Sequence, residues 1–248
     1  MQANTATGEP LALSVVVPVH NEQDNIHPLL GEIASALEGQ CEYEVVYVDD
    51  GSTDATHERL KEAADRFPRL RVLRHRAACG QSTAIRTGVK AAGAPWIVTL
   101  DGDGQNDPAD ILRLVATAGD LSIVRPLMLA GYRRQRRDTR LKRISSRIAN
   151  AVRARLLRDS TPDTGCGLKL FPRDLFLEFP YFDHMHRFLP ALMLRQGGEV
   201  RSVEVNHRPR HHGRSHYGVG NRLWVGMIDL LGVMWLRRRA RLPDISEE

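Results

Sequence analysis

Four short apolar runs, each followed by a polar break and all but the last by a clear helix-length segment, occupy the first hundred residues and limit what this 248-residue chain can fold into. Leu13-Ser14-Val15-Val16-Val17 is continuous enough to suit a strand buried on both faces, and Pro18-Val19-His20-Asn21-Glu22 breaks it. A helix is predicted over 24–37. Glu44-Val45-Val46-Tyr47-Val48 is the second strand, ending in Asp49-Asp50-Gly51-Ser52-Thr53-Asp54. A helix over 55–67 follows and Pro68 marks its stop. A third strand over 70–73, a helix over 81–92, a fourth strand over 96–100 and a helix over 110–117 complete the series. This order predicts an α/β fold with a mostly parallel sheet and helices on both faces, whose ligands bind at the carboxyl ends of the strands. The polar clusters fall at those ends, after Val17, Val48 and Leu100.

Beyond Pro108 the alternation weakens. The stretch 121–131 is apolar and irregular, with a strand predicted near 128–132, and 200–205 reads as a late edge strand. Leu141, Ile144, Ile148, Val152 and Leu156 recur at helical spacing with Arg or Lys between them. That pattern is either a basic amphipathic helix suited to an anionic membrane surface or a surface helix with snorkelling arginines. Residues 206–220, rich in His, Arg and Gly, read as a mobile loop. No apolar stretch reaches the roughly 18–20 residues that cross a bilayer. The nearest, 223–236, reads as a packed C-terminal helix or as one lying on a membrane or a membrane partner. The expected organisation is a disordered N-terminus over 1–10 without a signal peptide, one domain over 11–220, and a C-terminal helix and tail over 221–248.

Charge is unevenly placed. The net charge is +5, yet the window 131–158 holds eleven Lys/Arg against the single acid Asp138, so it carries +10 and leaves −5 elsewhere. Such a window meets anions. A non-catalytic nucleic-acid-binding module is one reading of it, with steeply salt-dependent binding; against this, Tyr132 is the window's only aromatic and the acidic clusters would be idle. Cys41, Cys79 and Cys166 are scattered and odd in number, which argues against a disulfide framework and favours a reducing cytosol. His184, His186, His211 and His212 match no structural zinc spacing and read as loop or surface histidines.

The sharpest chemistry lies in Asp101-Gly102-Asp103-Gly104-Gln105-Asn106-Asp107-Pro108. Carboxylates at i and i+2, with the Gln105 side-chain carbonyl two further on, offer three hard oxygens to one divalent cation, although Asp and Gly also simply make polar turns. Glu22 and Asp50 follow adjacent strands, where carboxylates can accept from base N–H groups or ribose hydroxyls. Asp50-Gly51-Ser52 has the alternative of a helix N-cap. Gly80-Gln81-Ser82 opens a helix whose N-terminus could face phosphate, and plain capping is the simpler reading.

Taken in order, 15–22, 48–54 and 101–108 resemble the signatures of family 2 glycosyltransferases with a GT-A fold. The run from Gly131-Tyr132-Arg133 through Asp163-Thr164-Gly165-Cys166-Gly167-Leu168-Lys169 to 210–217 is similar to the polyprenyl-phosphate, dolichol-phosphate mannose synthase-like branch. The resemblance implies a metal-dependent, inverting transfer of a hexose, mannose or glucose, from a nucleotide sugar of the GDP-mannose or UDP-glucose type to a polyprenyl phosphate in cell-envelope chemistry. It assigns the nucleotide to Pro18, His20, Glu22, Val48 and Asp50, with Asp101 shared between nucleotide and metal. Asp103 is the first choice for Mg²⁺ or Mn²⁺, helped by Gln105. Asp163 is a candidate for orienting the acceptor, and Arg133, Arg147 and Arg210 for gripping its phosphate through guanidinium forks. His20 stands where many relatives carry Tyr, His216 where they carry Lys, and Gly104 where they carry a larger apolar residue. The implied setting is the inner face of the cytoplasmic membrane, reached directly or through a small membrane-protein partner, with no nucleic acid bound. The alternative within the class is a glycan or lipid-headgroup acceptor without a phosphate.

Overall fold

The computed structural model describes residues 10–133, 153–209 and 222–241. The first half runs β1 (Leu13–Val19), α1 (Ile26–Leu37), β2 (Tyr43–Asp49), α2 (Thr56–Ala64), β3 (Leu70–Arg74), α3 (Gln81–Ala91), β4 (Trp96–Thr99) and α4 (Asp110–Ala118). The second half adds β5 (Leu127–Arg133), β6 (Lys169–Pro172), α5 (Arg173–Leu177), α6 (Leu189–Arg195), β7 (Glu199–Val205) and α7 (Arg222–Arg239). Residues 153–157 are also helical, the described end of the helix expected from 141.

The strands form one sheet in the order β3-β2-β1-β4-β6-β5-β7. Parallel pairing joins β1 to β2 and β4, β2 to β3, and β5 to β7. Strand β6 runs antiparallel to both its neighbours, so the sheet is mostly parallel, with one reversed strand among the described residues. β7 lies at an edge, as its sequence predicts. β6 was not foreseen; it is only four residues long and begins with a lysine.

β1 also runs further than its apolar pattern suggested, passing through Pro18 to Val19. The Val16 carbonyl accepts from Leu100 N–H on the β4 side, and alternation turns Pro18 to that same side. The β1–β4 ladder ends at Val16–Thr99, so the donor that proline lacks has no partner to lose.

Alternation along β1 also divides the core. Val15 and Val17 pack with Ile26, Leu29, Leu30, Ile33 and Leu37 of α1 and with Ile111 and Leu114 of α4. Val16 faces the other way, onto Ala84, Ile85 and Val89 of α3, Phe176 of α5 and Leu192 of α6. Each fully buried aliphatic side chain contributes about 1.5–3 kcal/mol, so this two-layer burial holds the strand ends rigid. A third, smaller cluster seats Val233 of α7 on Leu157, Phe188 and Ala191, with Leu230 and Met234 packed beside it. No helix among the described residues is long and apolar enough to cross a membrane.

Candidate active site

The carboxyl ends of β1, β2 and β4 meet at one edge, and short polar bonds lock their loops together. Asp50 N–H donates to the Val19 carbonyl at 2.8 Å, and His20 Nδ1 donates to the Asp50 carbonyl at 2.8 Å. Asn21 sits in the left-handed region at φ 56° and works as a staple. Its N–H donates to Ser52 Oγ at 3.0 Å, and its Oδ1 accepts from Thr53 N–H at 2.8 Å. Glu22 is drawn in as well: its N–H donates to Thr56 Oγ1, and its carboxylate accepts from Asn25 Nδ2 at 2.6 Å. The expected nucleotide residues His20, Glu22 and Asp50 therefore share one rim. Val48 differs, because its fully buried side chain packs in the α3-facing core and is not presented to the rim.

Asp50 is more occupied than its sequence context suggested. Its carboxylate accepts from the backbone N–H of Cys79 and of Gly80, each at 2.8 Å, and from His75 Nδ1 at 2.7 Å. The His75 ring is held from its other side by Thr87 Oγ1 at 3.0 Å. Asp50 thereby places a negative charge at the N-terminus of α3, where the helix dipole favours it. Asp49 closes the turn after β2 by accepting from Ser52 N–H at 2.9 Å; α2 starts only at Thr56 with Ala55 at its N-cap position, so Asp50 does not cap it. Gly51, at φ 67°, lets the chain pass where a Cβ would stand 2.6 Å from the Ala77 carbonyl carbon.

Asp101 and Asp103 stand side by side after β4. The Asp101 carboxyl is pushed up to about 6 by burial first and by the neighbouring Asp103 charge second, against the opposing pull of Lys169 and Arg133. Gln81 Nε2, from the first turn of α3, donates to Asp101 Oδ1 at 2.8 Å. Asp103 accepts from Gln105 N–H at 3.1 Å, closing a tight turn. This donor set fits a divalent cation: two crowded carboxylates repel each other, and the cation would remove that repulsion. Gln105 is engaged through its backbone, since its carbonyl also accepts from Arg208 N–H at 3.0 Å. Gly104 has φ 71°, and the nearest atom to an added Cβ is 3.7 Å away, so backbone conformation rather than crowding explains a glycine there.

The far side of the site comes from the loop before β6. Arg133 Nε and Nη2 donate to the two Asp163 oxygens at 2.6 and 3.1 Å, a bidentate pair with both side chains mostly buried. Two of the expected acceptor residues are thus joined, with the Arg133 fork turned onto Asp163. Three residues beyond the expected set, Gln81, Gly167 and Lys169, complete the site. Lys169 is buried, and its ammonium donates to the Thr164 carbonyl at 3.3 Å and to the Cys166 carbonyl. The Gly167 carbonyl accepts from Thr99 Oγ1 at 2.6 Å, and Gly167 lies so close to Asp101 that a Cβ would overlap its carboxylate. Gln81, Gly167 and Lys169 were all visible within quoted motifs, but only the crossing of distant loops gives them partners.

Asn206 and Arg208, at the start of the loop expected over 206–220, are anchored; 210–220 lie outside the described residues. Asn206 N–H donates to Asp110 at 2.6 Å, and Arg208 pairs with Asp107 and Glu32, each at 2.7 Å. Arg147, Arg210, His211, His212 and His216 lie outside the described residues. His186 accepts from Ser82 Oγ at 2.8 Å, and burial holds its ring neutral, down to about 3. His184 pairs with Asp229 of α7 at 3.3 Å.

A family model for glycosyl transferase family 2 matches residues 14–179, which carries the chain from β1 past β6. The chain belongs to this family. Two relatives it is similar to are the dodecaprenyl-phosphate galacturonate synthase of Rhizobium johnstonii and the undecaprenyl-phosphate 4-deoxy-4-formamido-L-arabinose transferase of Edwardsiella ictaluri. The first is 34% identical over 240 residues, covering 95% of this chain and 70% of the relative. The second is 35% identical over 211 residues, covering 84% of this chain but only 63% of the relative. The fold is that of the glucosyl-3-phosphoglycerate synthase of Mycobacterium tuberculosis, solved with Mn²⁺ and UDP. The match has a TM-score of 0.63 at 19% identity, over 94% of this chain and 81% of that one.

Proposed function

We propose that this family 2 chain moves a sugar from a nucleotide sugar to a polyprenyl phosphate, with Mg²⁺ or Mn²⁺ held by Asp101 and Asp103 and with Gln105 as the third oxygen. The observation that carries the reading is the crowded Asp101–Asp103 pair at the carboxyl end of β4, on the same sheet edge as Asp50 after β2. When bound, the cation would neutralise the charge that grows on the departing diphosphate. The chain's own residues do the rest. Gln81 and Gly167 fix the direction of the Asp101 carboxylate. His20, Glu22 and Asp50 form the nucleotide rim, with the Pro18 backbone beneath it. Arg133, oriented by Asp163, reaches the acceptor phosphate together with Arg147 and Arg210. That phosphate is already ionised, so it attacks without a strong general base, and direct attack inverts the anomeric centre.

The names of the relatives support a polyprenyl phosphate acceptor, and they set galacturonate and 4-deoxy-4-formamido-arabinose donors beside GDP-mannose and UDP-glucose as the first to test. Residues 11–220 form the proposed catalytic unit. Residues 221–248 form its contact with the inner face of the cytoplasmic membrane or with a membrane-protein partner. The test is incubation with those donors, Mg²⁺ or Mn²⁺ and a short-chain polyprenyl phosphate. Turnover with one donor, lost in Asp103→Ala, is expected. Full turnover in Asp103→Ala overturns the cation assignment, and no turnover with any donor overturns the acceptor reading.

A further inference from the structure

Helix α7 covers the small third cluster with one face and leaves another open. Met227, Ile228, Leu231 and Trp235 are each half exposed or more. At about 100° per residue they fall within a single arc of about 100°. Beside that stripe, α7 and the helical stretch 153–157 enclose a groove of about 430 Å³ lined by Arg155, Leu156, Arg158, Met234, Arg237 and Arg238. Among the described residues, four guanidinium groups and no carboxylate line it.

The nearby acid is already used. Asp159 takes Arg153 on one oxygen at 2.5 Å and Thr161 N–H on the other at 2.9 Å. Arg237 Nη1 is buried with no acceptor among the described residues. The Asp159 charge acts on the guanidinium, but a buried donor without a hydrogen bond is costly, and an anionic acceptor in the groove would relieve that cost. The wall opposite is rigidly built. Asp159 N–H donates to the Ala154 carbonyl at 3.2 Å and ends the helix, with Arg158 in the left-handed region at φ 47°. Arginine forks bind phosphate bidentately, while Leu156 and Met234 offer an apolar wall next to the exposed stripe.

We propose that this groove holds the phosphodiester headgroup of an anionic phospholipid while Met227, Ile228, Leu231 and Trp235 bed into the adjoining acyl-chain boundary. The inference deepens the reading of a membrane-lipid acceptor and rests on it. Charge complementarity selects the occupant: every charged group lining the groove among the described residues is cationic, and the stripe beside it is apolar. A bilayer surface rich in anionic headgroups matches both.

The experiment is co-sedimentation of the full chain with phosphatidylcholine vesicles, with and without phosphatidylglycerol. Wild type is expected to sediment only with phosphatidylglycerol present. The triple variant Arg155→Gln, Arg158→Gln, Arg238→Gln is expected to lose roughly a hundredfold in affinity, about fivefold for each arginine removed. Arg237 is left in place because of its burial, and circular dichroism checks that the variant folds. Trp235→Ala is expected to weaken binding separately. Equal binding of wild type and triple variant overturns the inference. So does displacement by inorganic phosphate beyond that by chloride of equal ionic strength, which would mark a small-anion site. Self-association without vesicles, lost in the triple variant, overturns it in favour of a second copy of the chain. Transfer to a water-soluble short-chain polyprenyl phosphate is expected to be unchanged in the triple variant. Absence of that transfer in wild type defeats the functional reading instead, so the two failures are separable.

Discussion

Gly167 lies against Asp101 with no room for a side chain: a Cβ on Gly167 would overlap all three terminal atoms of the Asp101 carboxylate. The chain segment before β6 thus acts as a wall that sets the direction of a carboxylate after β4. Gly167→Ala is expected to rotate Asp101 away from Gln81 and to lower kcat/KM by about 10²-fold, the usual cost of misplacing a reacting group by about 1 Å. Thermal unfolding should shift by only a few degrees, because the Asp101 side chain can swing aside. Unchanged kinetics would show that the direction of Asp101 does not matter.

Asp101 also makes stability depend on pH. Its folded-state pKa, about 6, stands above the ordinary carboxylate value of 3.8, so ionising it costs the metal-free fold. The sign follows: stability from the protonated form is fully present below pH ~4 and is lost as pH rises through about 6. Asp101→Asn should therefore stabilise the metal-free protein near neutral pH by roughly 1–3 kcal/mol and leave it unchanged below pH ~4. Denaturant unfolding at both pH values checks this. Mn²⁺ should raise the Tm of wild type at neutral pH but not that of the variant, and the shift should fade as protons compete below about pH 6.

The Arg133–Asp163 pair separates holding from gripping. Arg133→Gln and Asp163→Asn should each cost about 2–3 kcal/mol, since each strands a mostly buried charge, while the double variant should cost less than their sum. In transfer assays, Arg133→Gln should raise KM for the polyprenyl phosphate, and Asp163→Asn should lower kcat/KM while leaving donor binding intact. Additive unfolding costs would mean that the two side chains do not act as a unit.

Lys169 is expected to act on the cation site without being one of its ligands. Lys169→Met keeps the volume but frees the Thr164 and Cys166 carbonyls and removes a charge that lowers the Asp101 pKa. The pH at which Mn²⁺ binding fades should move upward, a change that loop loosening alone would not produce. Mn²⁺ titration at several pH values reads it directly.

The doubly covered sheet was legible because Val15, Val16 and Val17 are all apolar, and such a run suits only a strand with core on both faces. The three acidic clusters were legible by their positions at strand ends. Asp50 was legible as a site residue but not in its bonding, because its donors, Cys79 and Gly80, arrive 29 and 30 residues later. β6 escaped because four residues beginning with lysine carry no period. The carbonyls of Thr164 and Cys166, with the nearby Asp101 and Asp163 charges, make a buried ammonium tolerable there. The anchoring of 206–208 was hidden for the same reason: Glu32, Asp107 and Asp110 are remote in sequence.

The reversed direction of β6 has a consequence for how such a chain can diversify. Because β6 runs opposite to its neighbours, its entry loop, rather than its exit, reaches the site. Residues before about 110 build one half of the rim, and residues from β5 onward build the other. The two halves are tied at several points: the β4–β6 ladder, Thr99 to Gly167, Arg208 to Gln105 and Asp107, Asn206 to Asp110, and the close approach of Gly167 to Asp101. A lineage that rewrites one half must therefore keep these crossings in register, and where Gly167 meets Asp101 only a glycine fits.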